Sequence, residues 1–185
     1  MMETERLILR QWQASDLHPY AIMTADPLVM RFFPALLSTE ESHAQANRAR
    51  ALIENNGWGF WAVELKGSGQ FIGFVGLHSQ NAESGFPFAP MVEIGWRLRA
   101  DAWGKGYAPE AAMAALTYAF ETLKLPCVYS FTTLANEPSK RVMQKIGMRN
   151  TGHTFSHPHL STDHALSPHC LYQITRAEFL KLTNG

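Results

Sequence analysis

Between Met91 and Leu123 the sequence changes its period in mid-course, and that change limits the possible fold more than any other feature. Met91–Leu98 alternates like a strand, with Val92, Ile94, Trp96 and Leu98 on one face and Glu93, Gly95 and Arg97 on the other. Asp101-Ala102-Trp103-Gly104-Lys105-Gly106-Tyr107-Ala108 then reads as a glycine loop, and Pro109 suits the first position of a helix. Met113, Leu116, Phe120 and Leu123 mark one face of that helix. In such a strand–loop–helix unit Gly104 and Gly106 let the backbone approach a ligand with no Cβ in the way. Successive amides form a concave nest, and the helix adds its positive end. The arrangement suits a pyrophosphate, and it equally serves as a tight strand-to-helix turn that needs glycine for positive φ. It lacks the Gly-Lys-Ser/Thr ending of a P-loop and the third glycine of the dinucleotide fingerprint.

The elements around this unit are legible from local signals. Arg6–Arg10 reads as an opening strand, and Ser15-Asp16 starts a short helix that reaches Ala25. Ser38-Thr39-Glu40-Glu41 is a capping box opening a helix that Gly57 stops. Phe60–Leu65 and Gln70–His78 read as strands on either side of Gly67-Ser68-Gly69, and Asn81–Pro90 as a surface loop. Pro126 ends the helix after the glycine loop, and Cys127–Leu134 is a strand. Asn136-Glu137-Pro138-Ser139 starts a short helix closed by Gly147, either polar residue being a suitable cap. Two more strands, near Met148–Thr154 and His169–Ile174, precede a terminal helix opened by the box Thr175-Arg176-Ala177-Glu178. This order predicts an α+β fold with a mixed central sheet flanked by helices, and excludes the alternation of a doubly wound fold.

Composition narrows the function. The chain has 185 residues, which predicts a single domain over 1–185 with a core at about 4–179. Sixteen Lys and Arg balance sixteen Asp and Glu, so no nucleic-acid partner is expected. Cys127 and Cys170 lie in strand-like stretches without metal-ligand spacing, and read as buried thiols. His153, His157, His159, His164 and His169 cluster without helical i, i+4 spacing or a nearby cysteine. No metal is therefore expected, and the cluster reads as a loop at a substrate mouth with His157 on it. No secretory signal opens the chain and no apolar run is long enough to span a membrane, so a cytoplasmic protein without a membrane partner is expected.

The run from the strand through Trp103-Gly104-Lys105-Gly106-Tyr107-Ala108 and Pro109-Glu110-Ala111 to Asn136, Ser139-Lys140-Arg141-Val142-Met143 and Ile146-Gly147-Met148 resembles the GNAT superfamily of acetyl-CoA-dependent N-acetyltransferases. The opening Thr4-Glu5-Arg6-Leu7-Ile8-Leu9-Arg10 and the capping box at Ser38 are similar to its Rim-type branch, which acetylates N-terminal amines of ribosomal proteins. The likeness runs from Thr4 to about Phe179.

The resemblance implies a mostly antiparallel, splayed sheet and a set of site residues. The amides of Gly104, Lys105, Gly106, Tyr107 and Ala108, with Trp103 before them, are expected to hold the pyrophosphate of acetyl-CoA, the acyl donor. The strand edge at Trp96, Arg97 and Leu98 is expected to pair with pantetheine, and Asn136 to hydrogen-bond the same arm. Ser139 is at the position that protonates the leaving thiolate, and Glu93 at the position of a base for the amine. A solvated or merely structural Glu93 is the competing reading. Phe32 and Phe33, ahead of a helix, are expected to form a lid over the acceptor. The implied reaction is direct attack of a primary amine, most simply a protein N-terminal α-amine, within a ternary complex. The alternatives are a small-molecule amine acetyltransferase and a non-catalytic acyl-CoA-binding protein. Exposed strand edges near the C-terminus suggest a homodimer.

Overall fold

The computed structural model describes all residues from Met1 to Gly185. In chain order the elements are β1 (Met2–Glu3), β2 (Leu7–Arg10), α1 (Leu17–Thr24), α2 (Thr39–Asn56), β3 (Phe60–Leu65), β4 (Phe71–Gln80), β5 (Met91–Leu98), α3 (Tyr107–Thr117), β6 (Cys127–Thr133), α4 (Glu137–Lys145), β7 (Arg149–Ser156), β8 (Pro168–Thr175) and α5 (Arg176–Asn184). The strands form one open eight-stranded sheet in the order β1-β2-β3-β4-β5-β6-β8-β7. The expected mixed α/β architecture is therefore the one observed. β5 and β6 pair in parallel at a single position, Glu93 opposite Tyr129, while β2–β3, β3–β4, β6–β8 and β7–β8 are antiparallel.

The chain divides into two compact units, Met1–Leu77 with Gly95–Ala115, and His78–Ile94 with Leu116–Gly185. In the first, Leu7 and Leu9 of β2, Ala62 and Val63 of β3 and Val75 of β4 are fully buried. Alternation along each strand sends Leu7, Leu9, Val63 and Val75 to one face and Ala62 to the other. Helix α2 starts as its sequence dictates: Ser38 Oγ accepts from the Glu41 amide at 3.1 Å, and Glu41 Oε2 accepts from the Ser38 amide at 2.7 Å. Such a cap contributes about 0.5–2 kcal/mol. In the second unit Phe120 and Phe179, each 1% exposed, meet with ring centroids 5.0 Å apart. Fully burying a phenylalanine contributes about 1.5–3 kcal/mol. The Thr175 box caps α5, its side chain accepting from the Glu178 amide.

Several expectations are corrected. β1 precedes the predicted first strand, too short to leave a periodic signal. Helix α3 begins at Tyr107, so Pro109 is its third residue; a missing N–H there still costs no intrahelical bond. The same helix ends in a π-helical turn over Tyr118–Thr122. Helix α4 begins at Glu137, and of the two candidate caps Asn136 is the one used. The Asn81–Pro90 connector is not simply a surface loop, because Phe86 is 7% exposed against Phe131, with ring centroids 4.7 Å apart.

Candidate active site

In the first unit Gly104 and Gly106 both take positive φ, 73° and 79°. None of the amides from Gly104 to Ala108 donates to an acceptor within the protein, since α3 makes its first backward bond from the Glu110 amide to Gly106 O. These amides, with the helix end behind them, form the concave donor set that a pyrophosphate needs. The loop is held from the chain's start. Arg6 donates through Nη1 to Lys105 O at 2.8 Å and through Nε to Glu110 Oε2 at 2.7 Å, and its guanidinium lies 4.6 Å from the Tyr107 ring centroid. Thr4 Oγ1 and the Arg6 amide donate to the other Glu110 oxygen at 2.6 and 2.8 Å. Burial pushes the Glu110 carboxyl up, but these donors outweigh it and hold it below the usual range. The Thr4-x-Arg6 pattern and the Pro109-Glu110 pair thus fasten to one another.

Trp103 is tied back to the strand, its indole donating to Leu98 O at 3.0 Å. Arg31 lies 4.8 Å from the Trp103 ring and 4.8 Å from the Phe32 ring. Phe33 goes elsewhere: its ring lies 4.1 Å from the guanidinium carbon of Arg97, with Phe74 at 5.4 Å. Arg97 Nη1 makes two long contacts to neutral oxygens, Tyr20 Oη at 3.3 Å and Gln45 Oε1 at 3.2 Å. The tyrosine hydroxyl itself donates to Gln45 Oε1. Burial lowers the Arg97 pKa, opposed only by Tyr20, and Nε is buried without a partner. Cation–π contacts are each worth about 0.5–2 kcal/mol, against several for taking a lone cation out of water. The chain keeps an uncompensated positive charge here. The groove of about 320 Å³ lined by Ile22, Met23, Asp26 and Arg99 contains none of the predicted site residues.

In the second unit Glu93 sits on β5 opposite Tyr129. It keeps some surface open, yet lies deep among protein atoms, and that burial pushes its carboxyl up to about 7. Gln80 Nε2 donates to Oε2 at 2.9 Å and pulls the other way. Glu93 is thus half-buried on its strand, with one neutral hydrogen-bond donor. Such a carboxyl exchanges a proton near neutral pH, as a general base must.

Asn136, 8% exposed, has both ends engaged: Oδ1 accepts from the Ser139 amide at 3.2 Å and Nδ2 donates to Thr132 Oγ1 at 2.9 Å. The neighbouring Ser139 hydroxyl meets no hydrogen-bond partner within the protein and is half-buried. His157 packs against Phe86 at 5.3 Å and His169 at 5.0 Å, with Nδ1 accepting from the His159 amide at 3.1 Å. Burial first, then the two neighbouring histidines, hold its pKa down at about 4. His157 is therefore neutral at pH 7. No group of three or more His, Cys, Asp or Glu converges as a metal would require, and no helix is long and apolar enough to cross a membrane.

The acetyltransferase (GNAT) domain model matches residues 6–149, and the chain belongs to that family. It is an acetyl-CoA-dependent acetyltransferase. It is 32% identical over 152 residues to YnaD, an uncharacterised N-acetyltransferase of Bacillus subtilis, covering 80% of this chain and 82% of that one. Among solved structures it resembles a GNAT-family acetyltransferase of Bacillus anthracis, with a TM-score of 0.79 and 28% identity, covering 95% of this chain and 98% of the other. At 20% identity it shares its fold with two proteins of different acceptor. One is the spermidine N-acetyltransferase of Vibrio cholerae, solved with CoA and spermine (TM-score 0.72, 96% and 99% coverage). The other is the ribosomal-protein-S5-alanine acetyltransferase of Vibrio fischeri (TM-score 0.69, 96% and 97% coverage).

Sequence reasoning placed Gly104 and Gly106 at a strand-to-helix turn and Glu93 on a strand, which is where they lie. It missed Arg6, Glu110 and the side-chain environment of Arg97. Thr4-Glu5-Arg6 was a signal for the first, but its partner lies more than one hundred residues away, beyond any local pattern.

Proposed function

We propose that this acetyltransferase acts on α-amines, as the Rim-type branch does on protein N-termini, within one N-acetyltransferase domain in the cytoplasm. The observation that carries this reading is Glu93. A carboxyl near pH 7 is matched to an α-amine of pKa ~7.7–8.0, and poorly matched to a lysine amine at ~10.4. When bound, acetyl-CoA supplies a thioester carbonyl to be attacked and a thiol of pKa near ~8.5 to leave. The Gly104–Ala108 amides bind its pyrophosphate, with Trp103 and Lys105 beside them. The backbone edge at Trp96, Arg97 and Leu98, with the spare lone pair of Asn136 Oδ1, aligns the pantetheine arm. Glu93 takes the amine's proton, directly or through water. Ser139 Oγ, free of other partners, gives a proton to the leaving sulfur. Phe32, Phe33 and His157 wall the acceptor. Holding both reactants in line supplies much of the rate.

A small-molecule amine is the second reading, and the balanced net charge favours it, since basic protein substrates call for an acidic mouth. The test is thiol release from acetyl-CoA against short N-terminal peptides and a panel of small amines. Steady release with peptides supports the α-amine reading, and release with small amines alone supports the second. Tight acetyl-CoA binding with no turnover of any amine leaves a non-catalytic acyl-CoA binder. Sedimentation of the free protein tests the proposed homodimer.

A further inference from the structure

Arg97 was expected to serve through its backbone. Its side chain poses a separate question. Of its donors only Nη1 is used, on two neutral oxygens at 3.2 and 3.3 Å. Nε is buried and unpartnered, and Nη2 makes no hydrogen bond within the protein. Nε and Nη2 form the edge of the guanidinium that a carboxylate grips with two parallel bonds. The surroundings offer it no such partner. Tyr20, Gln45, Phe33 and Phe74 are all neutral, and the other charge felt at Tyr20 is a second cation, Arg48 of α2. The cover over the guanidinium is Phe33, a 37% exposed ring on the connector between α1 and α2.

A purely structural arginine is expected to be saturated. Arg10, in the same unit, bonds two carboxylates and a carbonyl. Arg97 holds Tyr20 and Gln45 only at long range, and those two already bond each other.

We propose that the Nε–Nη2 edge of Arg97 is the anchor for a carboxylate carried by the amine acceptor, with Phe33 moving aside to admit it. The inference rests on the acetyl-transfer reading above and adds the substrate's charge: the enzyme selects amines bearing an anionic group and disfavours polycations such as spermidine. Arg97 acts in recognition and stands apart from the proton transfers.

The carboxylate has two possible sources, an acidic side chain near a peptide N-terminus or the free carboxylate of a small amino compound. Initial rates of thiol release are measured for the twins Ala-Glu-Phe-amide and Ala-Gln-Phe-amide, and for Ala-Phe and Ala-Phe-amide, with spermidine as the cationic control. In the unmodified protein one acidic member is expected to exceed its neutral twin at least tenfold in kcat/KM, and which pair responds identifies the source. Arg97→Gln is expected to bring that ratio near one, mainly through acceptor KM, while the KM for acetyl-CoA moves less than twofold. Arg97→Lys retains part of the preference. If Arg97→Gln fails to fold, the twin ratio in the unmodified protein and in Arg97→Lys decides alone. Turnover with equal rates for both twins, or better turnover of spermidine, overturns the inference and leaves the acetyltransferase intact. No turnover of any amine removes both this inference and the reading beneath it.

Discussion

Arg10 and Arg97 lie in the same unit, and their contrast divides the polar groups of this protein into two kinds. Arg10 binds Asp16 with two parallel bonds of 2.8 and 2.9 Å and Glu64 at 2.6 Å, and Asp16 is 1% exposed. The Asp16 bonds raise its pKa first, against burial. Every charge there is answered within the chain, so the cluster works as a cross-link. Arg97 meets only neutral groups and is answered by none. The second unit repeats the division. Asn136 has both ends engaged, while the Ser139 hydroxyl three residues on has no partner and Glu93 has a single neutral donor. Saturated groups hold the fold, and unsaturated ones are kept for something outside it. Removing a saturated group should cost stability first, and removing an unsaturated one should cost turnover first.

The largest effect is expected at Glu93. Glu93→Gln should lower turnover near pH 7 by ~10²–10⁴ with acetyl-CoA binding retained, and by less at pH 9, where the amine is already neutral. The stability effect has the opposite sign. The folded carboxyl titrates at about 7, above its ordinary 4.5, so the folded state holds its proton longer than the unfolded chain does. The resulting cost is absent below pH 4.5 and complete above pH 7. Melting curves should therefore show Glu93→Gln more stable than the unmodified protein at pH 8 and no more stable at pH 4. Equal activity losses at every pH, with a lower melting temperature, would place Glu93 among the saturated groups.

Arg10→Met tests the other side. It strands Asp16 and Glu64, and leaving buried charges unpaired costs about 3–5 kcal/mol. Denaturant titration should show a loss of that size, with acetyl-CoA affinity of the folded fraction unchanged. Arg97→Met, removing a cation that pairs with nothing, should cost far less. Equal losses would erase the distinction.

How much of this was legible in the sequence depends on distance along the chain. Both capping boxes were readable because each closes within four residues, Ser38 with Glu41 and Thr175 with Glu178. The glycine loop was readable for the same reason. The strap from Arg6 to Glu110 was not, because folding alone brings those residues together. Alternation placed Glu93 and Arg97 correctly on one face of β5, yet assigned that face to solvent as readily as to protein. Only the elements covering it decide which, and nothing local to residues 91–98 encodes them. Gly73 of β4 is a further case. A Cβ there would come within 2.1 Å of Arg97 O, a close approach that the sequence presents only as an unexplained glycine in a strand. The cap of α4 stayed open between Asn136 and Ser139 because the two are chemically equivalent candidates, and backbone geometry makes the choice.

Gly106→Val probes the unsatisfied amides. At φ 79° a β-branched residue is strained, and its Cβ would stand 3.4 Å from Arg6 Nη2, against the side chain that fastens the loop, so the array of free amides is distorted. The unmodified protein should gain about 2.7 kcal/mol from acetyl-CoA at 100 times its dissociation constant. The variant should lose that gain, read as a vanished shift in melting temperature. A shift that persists would move the pyrophosphate away from this loop. Ser139→Ala, of similar size in rate, should lower kcat about 10²-fold at unchanged acceptor KM.

The smallest effect separates two neighbours. Asn136 Oδ1 accepts from the Ser139 amide, one of the donors that the first turn of α4 leaves without an intrahelical acceptor. Asn136→Ala removes that cap and deprives Thr132 Oγ1 of a donor, so it should cost about 1 kcal/mol. Ser139 contributes its backbone amide to this cap, and an alanine supplies the same amide. Ser139→Ala should therefore leave the melting temperature where it is, although the same variant slows turnover. Asn136→Asp sharpens the point. It keeps the acceptor and adds negative charge at the helix start, where charge is favourable, but it gives up the donor to Thr132. It should recover most of the stability lost in Asn136→Ala. A Ser139→Ala protein that melts as early as Asn136→Ala would make Ser139 a second anchor of the helix, and its missing hydroxyl partner would then need another explanation than the leaving thiol.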